Sequence, residues 1–273
     1  MAEGPPRMIT PDTPTPRLRA HDITVGYGKT TILENLSIDI PTGEFTVIVG
    51  PNACGKSTLL RALARMLPTG TGSVTLDEVP LVSLAPKEVA KQLSLLPQSP
   101  HAPDGIIVED LIARGRYPHQ GIFRQWSTSD QEAVDRAMKR ANVTDLADRF
   151  VSELSGGQRQ RVWVALVLAQ QTPIVLLDEP TTYLDITHQV DVLNLARDLQ
   201  RDGVTIVAVL HELTLAFRYA TNLVMMKEGH IVGTGPVTEL VTADLIADVY
   251  GLDCDLITDP HSGRPIVVPV DQN

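Results

Sequence analysis

The stretch from Gly50 to Ser57 places two glycines, a lysine and a hydroxyl in the pattern G-x-x-x-x-G-K-S. It lies between the apolar run FTVIV and a segment with leucines at helical spacing, so it forms a strand-to-helix turn. Backbone N–H groups of such a turn, with the helix N-terminus, make a nest for anions. We therefore expect a nucleoside triphosphate bound by Gly50, Pro51, Asn52, Ala53, Cys54, Gly55, Lys56, Ser57 and Thr58. Lys56 would contact the outer phosphates, and Ser57 would be a ligand of Mg²⁺.

Two acidic residues, Asp178 and Glu179, end the apolar run IVLLDEP. A carboxylate at the end of a buried strand is costly unless it faces a cation, so we expect Asp178 in the Mg²⁺ shell. Glu179 is expected to polarise the attacking water, which converts nucleotide binding into hydrolysis. The alternative is an acidic pair that only caps a turn.

A second anion-binding pattern, LSGGQ, opens a strongly helical run and supplies a hydroxyl, glycine N–H groups and a helix dipole from Ser155, Gly156, Gly157 and Gln158. One chain does not need two sites for a γ-phosphate, whereas two chains arranged head to tail would each offer LSGGQ to the other's nucleotide. On these motifs the sequence resembles the ATP-binding subunits of ABC transporters, over about residues 18–270.

Four further residues match motifs of this family one by one. Tyr27 in VGYGKTTIL matches the aromatic that stacks on adenine, and Gln98 in SLLPQ matches the glutamine that touches Mg²⁺. Asp185 in TTYLD matches the aspartate that contacts the dimer partner, and His211 in VLHE matches the histidine that senses the γ-phosphate. The alternatives are a strand-edge tyrosine, a strand-end amide and a buried structural histidine.

Three positions depart from the commonest family pattern. Ala53 stands where many members carry glycine, so we expect its φ to be negative or tolerated. Cys54 is interpreted as a passive small residue, with alkylation beside a bound phosphate as the alternative. Glu212 replaces the more common aspartate after His211, which leaves the histidine switch intact.

The scaffold that must position these residues alternates short apolar strands with helices, which is typical of a parallel sheet covered by helices. Together with the resemblance, this predicts an α/β P-loop NTPase fold with a RecA-like core, an antiparallel β subdomain and an inserted helical subdomain. The predicted organisation is a disordered tail over 1–17, an ATPase domain over 18–255 and a C-terminal extension over 256–273. The helical insertion is expected at about 100–155.

The sequence also predicts individual helices, a strand and a helix cap. The leucines after Ser57 predict a helix whose buried face extends to Met66 and Leu67, and a later helix is expected at about 186–201. The segment VAKQLSLLPQ is interpreted as a strand. Ser129 and Glu132 form a predicted capping box at the start of a helix.

Composition limits the function. The chain has 273 residues, is 43% hydrophobic and carries a formal net charge of −10, which argues against a general nucleic-acid binder. The two cysteines are far apart and fit a reducing compartment. No secretory signal is apparent, and the apolar runs are shorter than the roughly 18 residues of a membrane span, so we expect a soluble chain.

The resemblance then implies an importer ATPase at the cytoplasmic face of the cell membrane. It would use ATP and Mg²⁺, close as a homodimer on separate permease subunits, and serve a substrate-binding lipoprotein indirectly. The run GIIVEDLIARGRYPHQGIFRQWSTSDQ and the C-terminal VYGLDCDLITDPHSGRPIVVPV resemble the iron–siderophore, haem and cobalamin group. The alternatives are another metal or amino-acid importer, or a soluble non-transport ABC ATPase.

Aromatic residues within the insertion are candidates for docking on the membrane subunits, since aromatics supply large contact area at interfaces. They are Tyr117, Phe123 and Trp126. The alternative is that they pack the small subdomain internally.

Overall fold

The computed structural model describes residues 16–121, 126–182 and 184–270 of the chain. The predicted tail therefore lies almost entirely outside the described residues, and so does Phe123. The strands are β1 Leu18–Tyr27, β2 Thr30–Ile40, β3 Phe45–Val49, β4 Thr71–Leu76, β5 Val79–Pro80, β6 Leu93–Leu96, β7 Ile174–Asp178, β8 Thr205–Val209, β9 Asn222–Lys227, β10 His230–Gly235, β11 Cys254–Thr258 and β12 Pro265–Pro269. The α-helices are α1 Lys56–Leu63, α2 Pro86–Gln92, α3 Val108–Ala113, α4 Thr128–Arg140, α5 Gly156–Gln170, α6 Ile186–Arg201, α7 Leu213–Tyr219, α8 Val237–Leu240 and α9 Ala243–Tyr250.

The larger sheet has the strand order β10-β9-β3-β8-β7-β6 and is parallel except for β10, which pairs antiparallel with β9. Alternate residues of β3 face opposite cores. Phe45, Val47 and Val49 join the core built with α5, α6 and α7, whereas Ile48 joins the core built with α1 and the antiparallel sheet. Because both faces are covered, β3, β7 and β8 are buried along their whole length and are mostly apolar, with Thr46, Asp178 and Thr205 as the exceptions.

A second sheet, β2-β1-β4-β5, is antiparallel and packs over α1 through residues such as Leu33 and Ile40. Between β6 and β7 the chain forms α3, α4 and α5; α3 and α4 lie within the segment of about 100–155, and α5 follows it. A hairpin of β11 and β12 follows α9. The α/β architecture with parallel and antiparallel sheets is the predicted one.

The predicted helix over about 186–201 is confirmed as α6, and three local predictions are wrong in whole or in part. The helix after the P-loop ends at Leu63, and Met66 is 68% exposed instead of buried. The segment VAKQLSLLPQ, residues 89–98, is strand only at Leu93–Leu96. Its first four residues belong to α2, because Pro86 sits in the first turn of that helix and Glu88 accepts a hydrogen bond from the Ala85 N–H.

The predicted capping box at the start of α4 is two residues out of place. Ser127 is the N-cap and Asp130 completes the box, in place of Ser129 and Glu132. The physical reason is the buried Arg116, whose Nε lies 3.1 Å from Asp130 Oδ1. Only this start of the helix brings the Asp130 carboxylate to that guanidinium.

Candidate nucleotide-binding site

The P-loop lies between the end of β3 and the start of α1. Gly55 is the N-cap of α1 with φ 104°, a value that favours glycine, and it has no side chain to cap the helix. Lys56 is buried, and its Nζ donates to the carbonyl oxygens of Gly50 at 2.9 Å and Pro51 at 2.8 Å. The lysine thus ties the loop into a ring around the helix N-terminus, where the dipole favours an anion.

The loop is tightly packed from behind. A Cβ on Gly50 would lie 2.2 Å from the Met226 carbonyl oxygen and 2.8 Å from Cys54 Sγ, so glycine is needed there for close approach. Ala53 has φ 62°, so of the two expected alternatives, a negative or a tolerated φ, the second applies: this residue adopts the left-handed region that a glycine would occupy more easily. Burial raises the pKa of the Cys54 thiol against the lowering effect of Lys56, which agrees with a passive residue.

The end of β7 supplies a buried carboxylate. Asp178 is fully buried, and its Oδ1 accepts a 2.7 Å hydrogen bond from Ser57 Oγ. Its Oδ2 accepts no hydrogen bond from the described residues and lies 3.4 Å from Arg61 Nη2. Burial raises the pKa of Asp178, since the charged form is poorly compensated.

The oxygen atoms gathered here are a hydroxyl, a carboxylate and the amide of Gln98. Hard oxygen donors of this kind suit Mg²⁺, which is usually bound through one or two carboxylates together with phosphate oxygens and waters. Among the described residues, Asp178 Oδ2 accepts no hydrogen bond and has only the ion pair with Arg61, so a bound cation would explain this buried oxygen. The predicted metal residues Ser57, Gln98 and Asp178 therefore fit the ion.

Glu179 is the centre of a second network. Its Oε2 accepts from Gln98 Nε2 at 2.7 Å and from Thr182 Oγ1 at 3.1 Å, and its Oε1 lies 2.6 Å from His211 Nε2. Burial alone would raise the pKa of Glu179, but the bonds from His211, Gln98 and Thr182 hold it below the ordinary range. The group is an ionised acceptor, and its φ of 53° is a backbone conformation found at functional sites.

Two adjoining cavities lie at these groups, and buried Asp178 lines neither of them. The first is lined by Ile32, Asn52, Ala53, Gly55, Lys56, Ser57, Thr58, Gln98, Glu179 and His211. The second shares Asn52, Glu179 and His211 and adds Gly50, Pro51, Thr182 and Tyr250. The His211 side chain is 41% exposed, so this histidine opens to the cavity and is not a buried structural residue.

Other predicted site residues lie elsewhere. Tyr27 ends β1 and is 47% exposed, outside the lining of both cavities. Ser155 caps α5, accepting from the Gln158 N–H at 3.3 Å while Gln158 Oε1 accepts from the Ser155 N–H at 3.0 Å. Asp185 caps α6 through the N–H of His188. None of these groups lines the two cavities.

Three lining residues escape the sequence analysis: Ile32 on β2, Thr182 and Tyr250. Thr182 has a readable signal, because a hydroxyl three residues after Glu179 can reach back to its side chain within one turn. Tyr250 has none, since it follows Glu179 by a long stretch of chain and enters the site only through the packing of α9. Tyr250 is therefore a site residue whose position depends on tertiary structure.

Comparison with known proteins identifies the family. Residues 33–182 match the ABC transporter family. The ferric enterobactin transport ATP-binding protein of Escherichia coli is 53% identical over 255 residues, 93% of this chain and 94% of that protein. The petrobactin import ATP-binding protein of Bacillus anthracis is 47% identical over 92% of this chain and 93% of that protein. The hemin import ATP-binding protein of Thermobifida fusca is 41% identical over 97% and 92%.

Solved structures agree with these relatives. An inward-facing transporter described as the metal-chelate type is 25% identical, with a TM-score of 0.79 over 94% of this chain and 98% of that one. A dimeric bacterial ABC transporter cassette is 26% identical, with a TM-score of 0.72 over 80% and 98%. The chain therefore belongs to the ABC transporter family, as the sequence predicts, and is one of its ATP-binding subunits, which hydrolyse ATP. Among the helices of the described ranges, none is both long and apolar enough to span a bilayer.

Proposed function

We propose that the chain is the ATP-hydrolysing subunit of a bacterial importer for iron–siderophore complexes. The observation that carries the proposal is the 53% identity to a ferric enterobactin transport ATP-binding protein across more than nine-tenths of both chains. Lys56, Ser57, Glu179 and His211 line one cavity, which supports an active ATPase. The cargo itself never touches this subunit.

ATP would bind with its phosphates in the nest of the P-loop. Lys56 already lies at the loop through Gly50 and Pro51, and its ammonium carries one further proton for a β- or γ-phosphate oxygen. The exposed ring of Tyr27 is free to stack on adenine from the end of β1. Mg²⁺, held by Ser57, Asp178 and Gln98, would neutralise charge that develops on the phosphates.

Hydrolysis would use the Glu179 network. The carboxylate is ionised and accepts hydrogen bonds, so it can orient a water for attack and take its proton. His211 holds one oxygen of Glu179 and faces the cavity, where it can sense the γ-phosphate. Gln98 holds the other oxygen and continues directly into the helical insertion, so a change at the nucleotide can reach that segment.

The second anion motif would serve a second copy of the chain. Ser155 and Gly156 are exposed at the start of α5, and Asp185 is exposed at the start of α6. A dimeric cassette among the related structures supports closure of two copies around the nucleotides. Each copy would contribute Ser155, Gly156, Gly157, Gln158 and Asp185 to its partner's ATP.

The membrane permease subunits would dock on the helical insertion at the cytoplasmic face of the cell membrane, with a substrate-binding lipoprotein acting through them. Tyr117 is 59% exposed and Trp126 is 43% exposed, which suits anchors at such an interface. Trp126→Asp should therefore lower uptake while the basal ATPase activity of the isolated chain survives. Unchanged uptake by a folded Trp126→Asp variant would move the docking surface elsewhere.

The cargo is tested by uptake in cells that lack the chromosomal gene. Wild-type chain should restore uptake of radiolabelled ferric enterobactin or another ferric siderophore, and Glu179→Gln should not. Haem is the second cargo to assay, because hemin import proteins are among the relatives. Restoration of haem uptake alone, with no ferric siderophore transported, would overturn the siderophore assignment and retain the ATPase.

A further inference from the structure

One residue that lines the cavity around Glu179 belongs to none of the motifs recognised in the sequence. Gly50, Asn52, Glu179, Thr182, His211 and Tyr250 line this space together. Five of these residues lie in the P-loop or just beyond the ends of β7 and β8. Tyr250 is the last residue of α9, near the C-terminus of the described chain.

The fold holds Tyr250 firmly in this place. Ile246 and Val249 bury one side of α9, and Gly251 ends the helix with φ 64°. Lys227, the last residue of β9, donates from Nζ to the carbonyl oxygen of Asp248 at 2.7 Å and to its Oδ1 at 2.9 Å. Strand β9 is the direct neighbour of β3, which leads into the P-loop. The position of the phenol is therefore fixed relative to Gly50.

The chemistry of the phenol suits an anion. Burial raises the pKa of Tyr250, and this rise outweighs the lowering from its interaction with the Gly50 backbone. The hydroxyl is thus a neutral proton donor throughout the physiological range. On the same wall, Glu179 is an ionised acceptor and His211 is already bonded to it, so Tyr250 brings a donor that Glu179 and His211 do not.

We infer that Tyr250 is a further residue of the ATPase site, whose hydroxyl donates to the γ-phosphate or to the attacking water beside Glu179. The inference rests on the proposed function, since it needs ATP in this cavity. It also gives the C-terminal region a role in the chemistry: α9 delivers a side chain to the nucleotide and does more than cover the sheet edge.

Tyr250→Phe tests this inference in the full chain, because it keeps the ring and removes only the hydroxyl. We expect kcat for ATP hydrolysis to fall by about one to two orders of magnitude, the size expected for one lost hydrogen bond to a charged group. Affinity for ADP, which lacks the γ-phosphate, should stay within about twofold of wild type, and the melting temperature should not change. Tyr219→Phe is the matched control, because its hydroxyl donates to Asn194 at 2.8 Å, away from the cavity, and its loss should leave kcat unchanged.

The outcomes separate the two claims. If Tyr250→Phe hydrolyses ATP at the wild-type rate while Glu179→Gln is inactive, the inference falls and the proposed function stands. Equal weakening of ATP and ADP binding by Tyr250→Phe would overturn the inference in favour of a hydroxyl that only supports the P-loop. If the wild-type chain shows no hydrolysis that depends on Glu179, both the proposed function and the inference fail.

Discussion

Two helices of this molecule begin with glycine-rich anion motifs, and their first turns differ in burial, in charge and in capping. The first turn of α1 is buried, carries Lys56 and has a glycine N-cap with no side chain to satisfy its N–H groups. The first turn of α5 is exposed, carries no cation until Arg159, and is capped reciprocally by Ser155 and Gln158.

The difference indicates which of the two helix starts binds a nucleotide held by its own chain. Buried, uncapped N–H groups at α1 need a ligand, and the surrounding Ser57, Asp178 and Glu179 are arranged to act on one. At the start of α5, Ser155 and Gln158 cap each other, and none of the first residues of this helix lines the two cavities around Glu179. This helix start is suited to contact a nucleotide that another chain holds.

The two helices are also anchored differently. Strand β3, the P-loop and Lys56 hold the N-terminus of α1, whereas α5 is held at its far end. There Arg116 donates from Nη1 to the Ala169 carbonyl oxygen at 2.7 Å and to Gln171 Oε1 at 2.9 Å. Because α5 is fixed at its C-terminus, its N-terminus lies with the surface of the helical insertion.

The largest expected effect tests whether ATP hydrolysis is carried out at the α1 site alone. Glu179→Gln removes the ionised acceptor but keeps the side-chain shape, so hydrolysis should fall by about 10²–10⁴-fold while ATP still binds. Steady-state ATPase rates and nucleotide titration measure both quantities. Glu212→Gln, a nearby exposed carboxylate with no bond to this network, is the control and should retain activity. An active Glu179→Gln variant would remove the base from the account.

The next effect tests the anchor of α5. Asp130→Asn leaves Arg116 buried without its charge partner and should lower the free energy of unfolding by about 3 kcal/mol. Glu132→Gln, which breaks only the exposed pair with Arg136, should change it by less than about 0.5 kcal/mol. Denaturant titration of the three chains decides. Equal stabilities would mean that the buried pair does not hold the insertion together.

The same pair predicts a pH dependence. Hydrogen bonding from Ser127, against the opposing effect of burial and with help from Arg116, holds the pKa of Asp130 below its ordinary value. A carboxyl with a lowered folded-state pKa stabilises above the unfolded value of about 3.9 and loses this contribution as pH falls through the folded value. The stability difference between wild type and Asp130→Asn should be constant above about pH 5 and shrink below about pH 4. A constant difference down to pH 3 would contradict the ionic origin.

A smaller effect tests whether the α1 site binds nucleotide within one chain. Lys56→Ala removes a charged phosphate contact worth about 1.5–3 kcal/mol, so ATP affinity of the monomer should fall by roughly one to two orders of magnitude. Lys139→Ala, at the exposed end of α4, should leave affinity unchanged. Equilibrium titration with a fluorescent ATP analogue measures both, and unaltered binding by Lys56→Ala would undo the P-loop assignment.

The sequence predicts the motifs and the layered α/β fold because local patterns encode them. Gly50 to Ser57 needs only its strand and helix, and LSGGQ needs only its helix. It fails where tertiary contacts decide between local alternatives. Ser129 and Glu132 make as good a capping box as Ser127 and Asp130 until Arg116 selects the latter.

Ala53 and Tyr250 show the same limit at the site. Ala53 has a positive φ although it is not a glycine, and its residue type alone does not reveal this conformation. Tyr250 reaches the cavity only because Lys227 and the buried face of α9 bring the end of that helix to the P-loop. The side chains that contact a site from distant elements are the ones that sequence reasoning misses.

The central claim is that α1 and α5 of different copies share one nucleotide, and sedimentation of trapped chains tests it most directly. With ATP and Mg²⁺, Glu179→Gln should sediment as a dimer, while Glu179→Gln with Ser155→Arg should remain monomeric and still bind ATP. Glu179→Gln with Ser129→Arg, on the exposed start of α4, is the control and should dimerise. Dimerisation of the Ser155→Arg double variant equal to that of Glu179→Gln alone, or loss of its ATP binding, would contradict the account.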